Sequence, residues 1–309
     1  MSTPINEYTA WNLLRSAPRG LTATSQPVRV QYDPNPDVWL QVHGSGKWTT
    51  SSAVTDEARD LFELFLPIQL RTEFVIAQTG QSLDGRIATK TGHSHYVTGP
   101  ADIRRLHRLR ALVDAVVVGA GTVAADNPRL TVRNVEGTNP DRVILDPDGR
   151  LASDKNVFSD GAARTLVIRA AGSEAPTRSP TVIQSEIVLM PVTGRASQDD
   201  ELAFAGFDPK AILAALRARG YRRVLIEGGG TTVSRFLRAG VLDRLHVTVA
   251  PLLIGSGLTA LALKPIKSLD EALRPQCRHF RLDDDILFDL DLRVERKPAR
   301  SPREDASRL

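Results

Sequence analysis

The sequence contains a single cysteine, Cys277, in 309 residues. One thiol excludes an internal disulfide and a metal site built from cysteines. Long apolar runs are also missing, since none approaches the roughly 20 residues that a membrane-spanning helix needs. The first residues, MSTPINEYTAW, do not place a basic region before an apolar one, so we predict no secretion signal. Together these absences predict a cytoplasmic protein without a membrane partner.

The sequence also lacks a large excess of one charge. The 40 basic and 36 acidic residues give a formal net charge of +4, which is too small to indicate a nucleic-acid partner. Much of the basic excess lies in residues 293–308, and we predict that residues 297–309 form a disordered tail. A chain of this length can form one large domain, or one domain with an appendage.

Residues 1–70 differ in pattern from the remainder and are predicted to form a small α+β N-terminal extension. Trp39 and Trp48 lie in its predicted hairpin, and an aromatic hairpin is more often a packed cap or an interface than a ligand site. The predicted elements, in chain order, are a helix over 5–14, strands over 28–32 and 38–42, and a helix over 51–65.

From residue 71 onward, strand patterns alternate with helix patterns. The alternation predicts an α/β domain with a mostly parallel sheet flanked by helices, and the β-rich end of the chain predicts antiparallel strands at one edge. The helix over 100–112 carries arginines on a face that we expect to be solvated. Predicted strands cover 74–77, 115–118, 143–145, 166–168, 187–189, 223–227 and 245–253, predicted helices cover 100–112, 209–219 and 231–239, and a turn is predicted over 80–85 and a hairpin over 277–294.

The strand over 115–118 leads into the most informative stretch of the chain. It ends in Gly119 and Gly121, where a glycine turn is expected, and Asp126, Arg129 and Arg133 follow. α/β proteins hold phosphorylated or nucleotide-like ligands with this order of strand, glycine turn and charge. A buried strand before a glycine turn is common in α/β folds, so this run alone does not decide the function.

A second glycine-rich connection follows the strand that ends at Glu227. Gly228, Gly229 and Gly230 lead from that strand into a helix, so several backbone N–H groups could face an anion. The run is not the GxGxxG fingerprint, and a standard dinucleotide-binding fold is therefore not indicated. A tight strand-to-helix turn would explain the glycines too, but a pyrophosphate cradle is their better physical use.

Other catalytic chemistries have little support. His93, His95 and His107 lack the spacing and the fourth ligand of a zinc set, so no metal site is predicted. His246 lies in a predicted strand and is expected to be packed. The sequence has no GxSxG elbow, no Walker loop and no HxE with paired cysteines, which argues against acyl transfer, NTP hydrolysis and zinc deamination.

Four motifs, in one order and spacing, resemble the riboflavin-biosynthesis pyrimidine reductases. These enzymes correspond to the C-terminal reductase domain of a bifunctional deaminase-reductase, and the resemblance implies a dihydrofolate-reductase-like fold over about 72–295. We therefore expect a reductase domain over 71–296 between the extension and the tail. The motifs are SLDGRIA (82–88), the run from Gly92 to Arg133, VILD (143–146) and the run from Leu225 to Gly257.

The resemblance implies an NADPH-dependent reduction of 5-amino-6-(5-phosphoribosylamino)uracil to its ribitylamino form, with hydride delivered to C1 of the opened sugar. The expected partners are this small-molecule substrate and a second copy of the chain, as a homodimer. The positions that match substrate-binding residues of the family are Ser94, Arg110, Leu130, Arg133 and Glu227. The positions that match cofactor-binding residues are Tyr96, Thr122, Asp126, Gly228, Gly229, Gly230 and Thr231.

The sequence departs from the family pattern in three places. Gln78 takes the place of a usual lysine, and glutamine cannot transfer a proton as lysine can. His93 stands where an acidic residue is frequent, and residues 1–70 do not resemble the deaminase domain. Two alternatives therefore stay open: a paralogous reductase of another pyrimidine, pterin or flavin-like substrate, and a non-catalytic nucleotide-binding protein. Arg169 is a weak sequence candidate for contacting the 2′-phosphate of NADPH.

Overall fold

The structure is a computed structural model. The predicted tail over 297–309 and the predicted cofactor residue Tyr96 lie outside the residues that it describes. The described residues are 3–22, 24–94, 97–172, 185–192 and 206–295.

The N-terminal part forms the predicted helices and hairpin, with one additional short strand. Strands β1 to β3 pair in order as an antiparallel sheet. The second helix begins five residues later than predicted, because the side chain of Thr55 accepts a hydrogen bond from the backbone N–H of Ala58 and caps it. The elements are α1 (Glu7–Ser16), β1 (Val28–Tyr32), β2 (Asn35–Val42), β3 (Trp48–Thr50) and α2 (Asp56–Gln69).

A nine-stranded mixed sheet is the centre of the molecule. Its order is β13-β14-β11-β4-β10-β6-β7-β8-β9; β13 and β14 pair antiparallel at one edge, β14 pairs antiparallel with β11, and the other neighbours are parallel. The predicted mixed, mostly parallel sheet is confirmed. The elements are β4 (Phe74–Ser82), β5 (Arg86–Thr89), α3 (Pro100–Ala111), β6 (Ala115–Gly119), α4 (Ala120–Asp126), β7 (Asp141–Leu145), α5 (Asn156–Ser159), β8 (Thr165–Ala170), β9 (Ser185–Met190), α6 (Pro209–Arg217), β10 (Arg223–Glu227), α7 (Gly230–Arg238), β11 (Arg244–Ala250), β12 (Gly257–Thr259), β13 (Pro275–Leu282) and β14 (Asp285–Glu295).

Two predicted turns are wrong. Strand β4 continues through Ser82, because it stays paired with β11 as far as Ala250, so the turn predicted over 80–85 is shorter. No glycine turn follows β6: the chain passes directly into α4, and Gly121 lies within that helix. A Cβ at Gly119 would lie 2.8 Å from Oγ1 of Thr232, so a larger residue there would require the side chain of Thr232 to shift.

Successive strand residues pack on opposite faces of the sheet, as the pleat requires. Phe74 and Ile76 contribute to one apolar cluster, which also contains residues of α1, α2 and α3, whereas Val75 and Ala77 contribute to a second cluster with α6 and α7. In the first cluster, the rings of Trp48 and Phe62 lie 5.0 Å apart. The N-terminal extension therefore covers one face of the nine-stranded sheet.

Gln69, near the end of α2, connects the extension to the sheet by side-chain hydrogen bonds. Its Nε2 donates to the carbonyl oxygen of Ala17 at 2.8 Å, and its Oε1 accepts from Nη2 of Arg223 at 3.2 Å. Arg223 begins β10, is fully buried, and also stacks over the ring of Phe74. Burial lowers the pKa of Arg223 to about 9, with Arg19 contributing in the same direction.

Candidate active site

A cavity of about 930 Å³ lies at the carboxyl ends of β6, β7 and β10 and beside the middle of β4. Parallel strands direct these ends to one edge of a sheet, which is where α/β proteins usually bind ligands. Most of the predicted site residues line this cavity, namely Ser94, Thr122, Asp126, Leu130, Glu227, Gly228, Gly229, Gly230 and Thr231.

The glycines of the 228–230 turn are needed because other backbone and side-chain atoms approach them closely. Gly228 has a φ of +142°, and a Cβ there would lie 2.7 Å from Val118. At Gly230 a Cβ would lie 2.3 Å from the carbonyl oxygen of Thr259. The backbone N–H of Gly229 donates to Oγ1 of Thr122 at 2.9 Å. The backbone of residues 228–230, which we call the glycine strip, thus runs along the cavity wall and into the amino terminus of α7.

Ser94 and Asp126 meet in the cavity wall. Oγ of Ser94 donates to Oδ1 of Asp126 at 2.8 Å, although the resemblance assigned the first to the substrate and the second to the cofactor. Asp126 ends α4, and the next residue, Asn127, has a left-handed φ of +42°. The hydrogen bond therefore connects a predicted substrate-binding residue to a predicted cofactor-binding residue.

Glu227 lines the cavity, and Arg110 binds its carboxylate from the protein interior. Nε of Arg110 donates to Oε2 of Glu227 at 2.9 Å, Nη2 donates to Oε1, and Nη1 donates to the carbonyl oxygen of Thr131 at 3.0 Å. A bidentate pair of this kind fixes the orientation of a carboxylate. Arg110 is buried and is not among the cavity residues, so its guanidinium acts on Glu227 in this structure.

The segment after α4 carries two arginines, Arg129 and Arg133, which are close in sequence to the cavity residue Leu130 but are not among the lining residues. Leu130, with a left-handed φ of +57°, is buried in the cavity wall, whereas Arg129 and Arg133 are exposed. Nη1 of Arg133 donates to Oγ1 of Thr131 at 2.7 Å. Although Arg133 is exposed as a residue, partial desolvation of its guanidinium lowers its pKa, and the nearby charges of Arg110 and Arg129 lower it further. Such a concentration of positive charge suits an anionic group of a ligand.

His107 fixes the backbone of this segment. Its Nδ1 accepts a hydrogen bond from the backbone N–H of Arg133 at 2.9 Å, which requires the neutral ring. Burial, followed by the charges of Arg110 and Arg133, lowers the pKa of His107 to about 4. The ring is therefore neutral at physiological pH and serves as an acceptor.

The arginines of α3 do not form one solvated face as expected, because Arg105 and Arg110 are buried while the side chain of Arg104 is 42% exposed. Arg105 is buried: its Nε donates to Oδ1 of Asp102 at 2.7 Å and its Nη2 donates to Oε1 of Gln78 at 3.0 Å. Gln78 and Asp102 line the cavity. The sequence interpretation missed this pair, and the only available signal was the spacing of Asp102 and Arg105 three residues apart on a helix.

Gln78 belongs to a row of polar residues that crosses the sheet. His246 is fully buried, as predicted, and lies between Arg105, 3.1 Å from its Nδ1, and Asp289, 3.3 Å from its Nε2. Burial lowers the pKa of His246. The strand register aligns five residues of this row, one from each of five neighbouring strands: Glu227, Gln78, His246, Asp289 and Arg278.

No group of three or more His, Cys, Asp or Glu side chains in the described ranges could hold a metal ion. No helix in the same part of the chain has the length and apolar content to cross a membrane.

Comparison with known proteins identifies relatives of most of the chain. Residues 73–287 match the family model of the RibD C-terminal domain. The chain is 34% identical over 223 residues to the 2,5-diamino-6-ribosylamino-4(3H)-pyrimidinone 5′-phosphate reductase of Methanothermobacter thermautotrophicus. The matched region covers 70% of this chain and 96% of that protein. It is 33% identical over 233 residues to the riboflavin biosynthesis protein RibD of Bacillus amyloliquefaciens, covering 73% and 60% respectively.

A solved structure agrees with these sequence matches. The crystal structure of the diaminohydroxyphosphoribosylaminopyrimidine deaminase/5-amino-6-(5-phosphoribosylamino)uracil reductase of Thermotoga maritima superposes with a TM-score of 0.57 at 28% identity, covering 76% of this chain and 61% of that one. The chain thus spans about 60% of the length of RibD and of the bifunctional enzyme, but nearly all of the archaeal reductase. The protein belongs to the RibD C-terminal domain family, that of the riboflavin-biosynthesis pyrimidine reductases, and has the mixed α/β sheet flanked by helices that the sequence predicted.

Proposed function

We propose that the protein reduces 5-amino-6-(5-phosphoribosylamino)uracil to its ribitylamino form with NADPH as the hydride donor. One observation carries the proposal: Glu227, assigned to the substrate, directly precedes the glycine strip assigned to the cofactor, and both line one cavity. Because the two are adjacent in the chain, a donor on the strip and an acceptor beside Glu227 would lie next to each other. Such positioning is the main contribution of a protein to hydride transfer.

The cofactor side of the cavity fits a dinucleotide phosphate. The family and its fold imply a nicotinamide cofactor, and Gly228, Gly229 and Gly230 present backbone without side chains along the cavity wall, at the amino terminus of α7. NADPH supplies the hydride when bound. Thr122 holds the strip in place through its hydrogen bond to Gly229. We infer that these residues, with Thr231, Asp126 and Tyr96, bind the cofactor.

Arg150 supports NADPH over NADH. It follows β7, lines the cavity beside Pro147, and its side chain is 66% exposed. An exposed guanidinium can bind a phosphate monoester with two hydrogen bonds. Arg169, the candidate from the sequence, is half-buried and is not among the cavity residues. We therefore propose Arg150 as the contact of the 2′-phosphate.

The substrate side offers groups for both ends of a ribosylaminopyrimidine phosphate. The carboxylate of Glu227 can accept hydrogen bonds from sugar hydroxyls or ring N–H groups, and Arg110 fixes its orientation. Arg133, with Arg129, would bind the phosphate, while Ser94 and Leu130 complete the wall. After the sugar ring opens, with the C1–O bond broken to give a hydroxyl and a C1=N imine, the reduction adds a hydride to C1 and a proton to the imine nitrogen. The amide of Gln78 cannot supply that proton.

A second substrate is favoured by the match to a stand-alone reductase. The archaeal relative, matched over 96% of its length, acts on 2,5-diamino-6-ribosylamino-4(3H)-pyrimidinone 5′-phosphate, which differs from the uracil compound in carrying an amino group at ring position 2. The present chain could therefore act before deamination of the ring and not after it. Direct comparison of the two compounds decides between these possibilities.

We also propose a homodimer and a cytoplasmic location. The segment from 252 to 273 exposes a series of leucines, with Leu253 72% and Leu269 74% exposed, and Leu83 joins it through a backbone hydrogen bond to Leu252. Monomers rarely expose so many apolar side chains close together. Light scattering should show a dimer that Leu253→Glu converts to a monomer, while Leu189→Glu on β9 leaves it unchanged. Cell fractionation tests the location.

The testing experiment follows NADPH oxidation by absorbance with each of the two pyrimidines, for the wild type and for Arg133→Ala. Turnover that collapses in the variant supports both the reaction and the phosphate role. NADPH binding without turnover of either compound would favour a paralogous substrate or a non-catalytic nucleotide-binding protein. The absence of both binding and turnover would contradict the reductase proposal.

A further inference from the structure

Helix α1 of the extension contacts the segment that carries Arg133. Three of its side chains converge on Glu136: the hydroxyl of Tyr8 donates to Oε1 at 2.8 Å, Nη2 of Arg15 donates to Oε2 at 2.9 Å, and Nε1 of Trp11 donates to the backbone carbonyl at 2.8 Å. Tyr8, Trp11 and Arg15 are spaced by three and four residues, so they lie on one face of the helix. A whole helix face is therefore directed at one residue.

We name residues 129–137 the arch. Its first half is fixed by α3, through the bonds of Arg110 to Thr131 and of His107 to the backbone of Arg133. Its second half is pressed onto the end of α3, since a Cβ at Gly137 would lie 2.5 Å from that of Ala111. The arch thus lies between α1 and α3.

Helices α1 and α3 are in turn bound to each other. Nη1 of Arg108 donates to Oε1 of Glu7 at 2.8 Å, and Arg104 lies 3.7 Å from the other oxygen of that carboxylate. The guanidinium of Arg108 also stacks over the ring of Trp11 at 5.7 Å. The two helices and the arch therefore form one closed unit, which contains residues of the extension and of the reductase domain.

We propose that α1 is a positioning element of the substrate site, which holds the arch through Glu136 so that Arg133 is pre-organised for the substrate phosphate. This rests on the proposed function, in which Arg133 binds that phosphate. Glu136 and its neighbours Asn134 and Gly137 are exposed, and α1 supplies the side-chain contacts that fix Glu136. Without those contacts, the backbone would have to be ordered when the substrate binds, which weakens affinity.

The test compares Glu136→Ala and Glu136→Gln with Glu73→Ala as a matched control. Glu73 is equally exposed, at 52% against 50%, and it also lies near two arginines, Arg217 and Arg222. We expect Glu136→Ala to raise the KM for the pyrimidine about tenfold, with kcat and the KM for NADPH within about twofold of wild type. Glu136→Gln, whose amide oxygen still accepts from Tyr8 or Arg15, should restore most of the affinity.

A purely structural role for α1 predicts a different result. It would lower the melting temperature of Glu136→Ala and would reduce kcat as well as kcat/KM for both the pyrimidine and NADPH. Equal kinetics for Glu136→Ala and Glu73→Ala would overturn the positioning proposal.

Hydrogen exchange tests the arch without turnover. In the wild type the amide of Arg133 should exchange slowly, because it is bonded to His107. Glu136→Ala should accelerate exchange over 129–137 and weaken calorimetric binding of ribose 5-phosphate, whereas Glu73→Ala should change neither. If hydrogen exchange over 129–137 and ribose 5-phosphate binding are unchanged in Glu136→Ala, the positioning proposal is wrong, even if the enzyme is active. A wild type without turnover would contradict only the proposed reaction.

Discussion

Arg105 donates a hydrogen bond from Nη2 to the side-chain oxygen of Gln78, at 3.0 Å, beside the cavity. Arginine has no acceptor, so the oxygen of the amide must face Arg105 and its N–H groups are left for other partners. The resemblance to the family, by contrast, implied that a lysine is usual at the position that Gln78 occupies. Arg105 therefore places a positive charge directly behind the residue that replaces the lysine.

A lysine at position 78 is consequently expected to be harmful. In Gln78→Lys an ammonium would meet the guanidinium of Arg105 in a buried setting, and the hydrogen bond would be lost. We expect the free energy of unfolding to fall by roughly 1–3 kcal/mol and turnover to fall with it. Chemical denaturation measures the first and NADPH oxidation the second.

The matched control is Gln78→Met, which removes the hydrogen bond without adding charge. The double variant Gln78→Lys/Arg105→Gln should recover much of the loss, because it restores one cation and one amide. A Gln78→Lys protein that is as stable as wild type and more active would refute this coupling.

The pair of Glu227 and Arg110 should behave as a unit. Glu227→Gln leaves the buried guanidinium of Arg110 without its carboxylate, and loss of one partner of such a pair costs about 3–5 kcal/mol. Arg110→Met leaves the carboxylate unpaired in the same way. We expect the double variant to be more stable than the sum of the two losses predicts, as measured by a double-mutant cycle in urea. Strictly additive losses would show that the two side chains contribute no coupling free energy to stability.

Cofactor preference should depend on Arg150. Arg150→Ala is expected to raise the KM for NADPH about tenfold and leave that for NADH nearly unchanged, since only NADPH carries the 2′-phosphate. Arg169→Ala serves as the comparison. The assignment fails if Arg150→Ala affects the two cofactors equally, or if the preference shifts only in Arg169→Ala.

Stability should decrease as the pH falls below about 6.5, through His107. Its pKa is about 4 in the folded protein and 6.5 in the unfolded chain, so the unfolded chain takes up a proton that the folded protein refuses. The free energy of unfolding therefore falls as the pH drops from 6.5 towards 4. His107→Gln keeps an acceptor for the amide of Arg133 but cannot titrate. We expect its melting temperature to change less than that of the wild type between pH 7 and pH 5.

Much of the fold could be predicted from the sequence because strand and helix periodicities are local. The short apolar run 224–226 placed β10 directly before the glycines 228–230, and those glycines lie at the cavity. The start of α2 was misplaced because Thr55, the residue that caps it, gives only a weak signal in a sequence rich in serine and threonine.

The contacts within the site could not be predicted in the same way. Glu227 is 117 residues from Arg110, and the polar row through Gln78 and His246 exists only because five strands pair in one register. Register depends on the assembled sheet and on which face is buried. Arg105 was assigned to a solvated face because charge on a helix is usually exposed, whereas here Asp102 and Gln78 satisfy it inside the protein.

The bond between Gln69 and Arg223 has a consequence for synthesis of the chain on the ribosome. The two residues are 154 positions apart, so α2 has left the ribosome long before β10 can contact it. Until then the apolar residues of α2, among them Phe62 and Phe65, lack the sheet face that finally buries them. Co-translational folding of the N-terminal segment must therefore remain incomplete until most of the sheet has been made, and this is the stage at which chaperone contact and aggregation should be greatest.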